Sequence, residues 1–136
     1  MDVVALIGRI LFAALFLGSA FGHLTQSGAM AGYAGSRGIP QPRLAVLGSG
    51  VLILVGGLLV LLGIWLDLGA LLLVVFLVPT AVLMHPFWKE TDPMARQTEM
   101  VSFQKDIALA GAALLVLALY AGHAEDLGIT ITGPLF

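Results

Sequence analysis

His23, His85, Lys105 and Asp106 are the residues of this chain best suited to chemistry, because each lies near the end of a long apolar run and all four fall toward the same end. An imidazole beside a carboxylate relays protons near neutral pH, and a lysine ammonium holds an anionic or carbonyl head group. Phe87, Trp88 and Phe103 flank this set and offer faces for a planar ring. A quinone head group suits such a place, with its ring among the three aromatics, its oxygens at His85 or Lys105 and its tail beside the apolar runs. A plainer reading stands next to this one: His85 directly precedes Pro86, where a histidine often only caps a carbonyl, and Lys105 can simply pair with Asp106. His23, His85 and Asp106 also form a conceivable metal donor set. They come from three separate segments with no paired local motif, so no metal site is expected.

Arg9 is a separate matter. At 1.5 Å per helical residue it lies about 21 Å from His23, so the two cannot share a site. Asp2, Asp67, Glu125 and Asp126 belong to its end of the molecule. Asp67 is the expected counter-ion in a structural ion pair, with a functional anion site as the alternative.

The elements that position these groups follow from composition. The chain has 136 residues, 60% of them hydrophobic and only 10% charged, with a mean hydropathy of +1.06. Apolar runs at 3–24, 44–65, 68–88 and 103–121 each approach the roughly 20 residues that a helix needs to cross a bilayer. Stretches such as Leu71-Leu72-Leu73-Val74-Val75-Phe76 are apolar on every side, which excludes the alternation of a β-barrel strand. The expected fold is all-α: an integral membrane four-helix bundle, one domain over 1–136, with the lipid bilayer as its surroundings. The first run is read as a retained helix rather than a signal peptide, because it opens with Asp2 instead of a basic cluster and is too long. Without cysteine the chain performs no thiol chemistry alone, and a net charge of -2 points away from nucleic acid.

Segments 25–43 and 89–102 read as loops, the first with a short helix over 29–36 and the second as the most polar stretch, suited to docking a protein partner. The turn between the second and third helices is centred on Asp67 and Gly69. Arg37, Arg43, Lys89, Arg96 and Lys105 cluster on the long-loop side, so the positive-inside rule puts both long loops in the cytoplasm and both termini outside. Pro79 should disturb the third helix. Gly18 with Gly22 and Ala108 with Ala112 read as helix seams. Trp65, Trp88 and Tyr120 read as interfacial anchors, and the 129–132 alternation of Ile and Thr is too brief for a strand.

Taken in order, Gly8-Arg9-Ile10-Leu11-Phe12, Val55-Gly56-Gly57-Leu58-Leu59, Met84-His85-Pro86-Phe87-Trp88 and Phe103-Gln104-Lys105-Asp106-Ile107 resemble the DoxX family of small bacterial membrane proteins. The resemblance implies a four-helix bundle in the inner membrane. It also implies a link to oxidoreductases, since some members resemble the small subunit of thiosulfate:quinone oxidoreductase and mycobacterial relatives belong to an oxidative-stress complex. Two positions depart from the pattern: Ile53 stands where many members carry Glu, and Asp106 where many carry Asn. The expected function is therefore a membrane subunit of a quinone-linked or oxidative-stress oxidoreductase complex. A non-enzymatic scaffold for a larger complex is the alternative. A lipid or metabolite carrier ranks below both, because the bundle's middle is apolar apart from Pro79.

Overall fold

Helix boundaries in this chain are set by proline, aspartate and glycine rather than by changes in hydrophobicity. The computed structural model describes residues 2–124 and 128–136, and among them lie α1 (Asp2–Thr25), α2 (Ser27–Ser36), α3 (Pro42–Leu62), α4 (Leu66–Met84) and α5 (Pro93–Gly122), with a 3-10 turn at Phe87–Lys89. Pro42 and Pro93 open α3 and α5 at positions where a missing N–H costs nothing. The Asp92 carboxylate caps α5 by accepting from the Ala95 N–H at 2.8 Å. The region expected as a polar loop over 89–102 is thus mostly helix, and α5 begins about three turns before the apolar run. Its early residues are polar, so apolar length alone misplaces the boundary. Likewise α2 occupies most of the first connection.

Among the described residues four helices are long and apolar enough to cross a membrane: α1, α3, α4 with the turn after it, and α5. Close approach follows the order α1–α3, α3–α4, α4–α5, with α2 laid against α3. The core collects Ala13, Phe16 and Ala20 from α1, Ile53 and Val60 from α3, Ala70, Leu73 and Leu77 from α4, and Ala110 and Ala113 from α5. The expected seams fall elsewhere: Gly18 and Ala108 face outward, and buried Ala20, Ala110 and Ala113 take their place. Apolar residues point to both lipid and core, so residue type alone does not mark the inward face. Large aliphatic side chains such as Leu11, Val75 and Leu115 cover the outer surface.

At the end that holds both termini, the α3–α4 turn is made by Gly63, in the left-handed region at φ 68° that only glycine adopts without strain. This turn lies earlier than expected, and Asp67 consequently belongs to the first turn of α4. The predicted Arg9–Asp67 ion pair does not form. Arg9 donates from Nε to the Val60 carbonyl at 3.1 Å, from Nη2 to the Leu61 carbonyl at 2.9 Å and from Nη1 to the Ile129 carbonyl. Val60 and Leu61 stand in the last turn of α3, where carbonyls lack helical partners and the helix dipole is negative. Arg9 is therefore the C-terminal cap of α3, with no carboxylate needed. Asp67, wholly buried, accepts instead from the backbone N–H of Leu135 at 2.6 Å and of Phe136 at 2.9 Å.

The segment 128–136 crosses this end as a strap, with no strand. Ile131 donates to the Gly63 carbonyl at 2.9 Å, and Trp65 donates its N–H to the Thr132 hydroxyl at 2.8 Å. Tyr120 is buried, not an interfacial anchor, and its hydroxyl donates to the Thr132 carbonyl. Glu125 and Asp126, expected on this side, lie outside the described residues. Replacing Arg9 by Met should leave the Leu61 and Ile129 carbonyls without this donor and Val60 with only the long bond from the Gly63 N–H at 3.4 Å, lowering stability by about 2–4 kcal/mol. Thermal unfolding in detergent would read this loss, and proteolysis within 129–136 should accelerate in parallel.

Candidate functional site

At the opposite end, the helical start of α5 brings two carboxylates into line. Glu99 and Asp106 are seven residues apart, two turns on one face, separated by about 10 Å along the axis. His85, just past the end of α4, reaches between them. Its Nδ1 lies 2.7 Å from Glu99 Oε2, and its Nε2 lies 3.7 Å from Asp106 Oδ2. The first is a short hydrogen bond to a carboxylate; the second is too long for a hydrogen bond. Lys105 Nζ stands 3.8 Å from Asp106 Oδ1 and remains more than half exposed.

Glu99 is also the junction through which α2 is tied down. Its Oε1 accepts from Arg37 Nη2 at 2.7 Å and from the Tyr33 hydroxyl at 3.1 Å. Arg37 Nη1 donates to Glu90 Oε1 at 2.7 Å, and its guanidinium sits 5.2 Å from the centre of the Tyr33 ring. The hydrogen bonds to Glu90 and then Tyr33 raise the Arg37 pKa above the ordinary arginine value, so this cation stays charged. Arg37 and Glu99 do not stand out from the sequence as site residues. The signal available is the Asp92-Pro93 helix start, which puts Glu99 on the face of Asp106.

A cavity of about 580 Å³ opens beneath α2, within the span of ordinary ligand clefts. Its lining includes all four predicted groups, His23, His85, Lys105 and Asp106. The walls are mostly apolar, with Phe16, Phe76 and Leu77 among them, and Pro79 and Thr80 form part of one wall. Pro79 withholds an N–H from the Val75 carbonyl and so marks a weakened stretch of α4 beside the cavity. His23 comes from the end of α1. Its Nδ1 lies 3.1 Å from the Val46 carbonyl and 3.0 Å from the Ser49 hydroxyl, and its ring packs edge-on to Phe76 at 5.8 Å. Gly50 permits this, since a Cβ there would come within 2.8 Å of the His23 Cβ.

The predicted ring-stacking residues do something else. Phe87, Trp88 and Phe103 pack edge-to-face on one another at 5.2–5.8 Å and are absent from the cavity lining. The 3-10 turn points Phe87 and Trp88 toward α5, where their quadrupoles favour this arrangement. The aromatic walls of the cavity are Phe16, Phe76 and Tyr33. Among the described residues no group of three or more His, Asp or Glu side chains is arranged to hold a metal ion.

Residues 4–86 match the family model described as DoxX. The chain is also 31% identical over 114 residues to inner membrane protein YphA of Escherichia coli (strain K12), across 84% of this chain and 81% of that protein. No solved structure matches the chain significantly. Arg37→Ala should release α2 from Glu90 and Glu99 at a cost of about 1–2 kcal/mol, the pair being only partly exposed. Hydrogen exchange of the 27–36 amides should then rise selectively, with amides in the centre of α4 unchanged.

Proposed function

The chain belongs to the DoxX family, and from that premise we propose that it is the membrane subunit of a quinone-linked oxidoreductase complex in a bacterial inner membrane. One observation carries this reading: an apolar cavity at one end of the bundle is lined by His23, His85, Lys105 and Asp106. A quinone head group has the matching character, a planar apolar ring edged by oxygens that exchange protons when its redox state changes. Its ring lies against Phe16 and Phe76, and Lys105 donates to a ring oxygen. Asp106 and His23 stand at the other polar positions. Asp106, His85 and Glu99 form a path for protons between the cavity and the polar end, because an imidazole between two carboxylates can accept on one nitrogen and release from the other.

When bound, the quinone supplies two-electron redox chemistry. The chain contains no cysteine, so the electrons pass between quinone and a redox-active protein partner docked at the polar end around 89–102. That end carries Arg37, Arg43, Lys89, Arg96 and Lys105, and it faces the cytoplasm by the excess of basic residues. Arg9, at the other end, spends its charge on buried carbonyls.

The test is binding of a short-tailed benzoquinone to the purified protein in lipid nanodiscs. Wild type should bind, and Lys105→Met or His85→Ala should weaken binding by about 10-fold with helical content retained. Absence of quinone binding, together with partner capture that survives both substitutions, would leave the scaffold reading in its place.

A further inference from the structure

The hydrogen-bonding polarity of the cavity goes beyond the presence of a head group to its chemical form. His23 Nδ1 faces the Val46 carbonyl at 3.1 Å, and a carbonyl oxygen can only accept. The Ser49 hydroxyl has one hydrogen, which also serves the Val46 carbonyl, at 3.0 Å. Nδ1 therefore carries the proton, because a bare nitrogen there would set its lone pair against that of the carbonyl. The assignment follows from the partners, as tautomers do when hydrogens are not seen. In the neutral ring Nε2 is then a bare acceptor, and it has no protein partner among the described residues.

Asp106 adds a second acceptor. It is only 6% exposed, lines the cavity and makes no hydrogen bond among the described residues, its nearest basic side chains being His85 at 3.7 Å and Lys105 at 3.8 Å. As a carboxylate it offers only accepting oxygens. The Ser19 and Thr80 hydroxyls in the lining both donate and accept, so they do not discriminate. Lys105 is the one dedicated donor among these groups, and it sits at the exposed mouth. His85 turns its Nδ1 to Glu99 and its Nε2 toward Asp106.

We infer that the cavity selects a hydroxyl-bearing aromatic head group, a quinol in preference to the quinone, with His23 Nε2 and Asp106 as the accepting atoms. This inference rests on the quinone-linked reading and adds a direction to it. A quinol places its two O–H groups against two acceptors. A quinone presents carbonyl lone pairs to His23 Nε2 and to the Asp106 carboxylate and leaves them unpaired, which a low-dielectric site penalises. Selection for the reduced form makes the site a station where quinol is held while its two electrons pass to the docked redox partner and its two protons leave through Asp106 toward His85 and Glu99.

The experiment compares, in nanodiscs under argon, the affinity of a short-tailed benzoquinol with that of its benzoquinone. A 4-alkylphenol and its methyl ether serve as a pair that cannot interconvert. The quinol and the phenol should each bind about 10-fold tighter than their partners. His23→Gln, whose amide both donates and accepts, should bring both ratios toward unity. Equal or tighter binding of quinone and ether, or ratios unchanged in folded His23→Gln, would overturn the preference while leaving the quinone-linked reading intact. Binding of none of the four compounds would overturn both.

Discussion

A bilayer supplies no water to its interior, so every charge and every unpaired backbone group within this bundle has to find its partner in the protein. Most of what is distinctive in the structure answers that constraint. Arg9 would be expensive within a helix in lipid. It becomes tolerable by lying across the end of α3, where carbonyls of the last turn lack helical donors and the dipole is negative. Asp67 is buried on the same terms, accepting the N–H groups of Leu135 and Phe136. Neither needs the other, and a single strap of backbone supplies a partner to each while closing that end of the molecule.

The opposite end solves the same problem differently. There the polar groups partner one another: Glu90 with Arg37, Arg37 with Glu99, Glu99 with His85. The series fades as it enters the cavity, where the contacts of Asp106 lengthen beyond hydrogen-bonding distance. One end is closed by backbone partners, with Asp67 Oδ1 the one buried side-chain oxygen or nitrogen left without a partner among the described residues. The other leaves accepting atoms unpaired beside an apolar space, the arrangement a binding site requires. Tyr33 links the two aspects, since it lines the cavity and also joins the Arg37–Glu99 network. Helix α2 is thereby both roof and latch.

Part of the site is legible in the amino-acid sequence. His23, His85, Lys105 and Asp106 group together by depth along their helices alone, and the cavity contains all four. The roles expected of Phe87, Trp88 and Phe103 follow from proximity in sequence, yet the 3-10 turn directs their rings at one another. Glu99 escapes notice because it lies in a stretch whose polarity reads as loop, where spacing along a helix carries no meaning. Once Asp92 caps α5, the seven-residue interval to Asp106 becomes a shared face.

The amino-acid sequence by itself determined that the chain is helical, that it has four membrane-crossing segments and that its charges divide between two ends. Those properties are local: apolar length, and the free energy of placing an ionisable group in hydrocarbon, can be read segment by segment. Tertiary structure alone decided which residues face inward and which polar groups meet. Helices apolar on every side carry no periodic mark of their inner face, so Ala20 and Ala113 could not be told from Gly18 and Ala108. The partners of Arg9, Asp67, His23 and Glu99 come from chain positions far removed, and only the packing of α1 on α3 and of α5 on α4 brings them within reach.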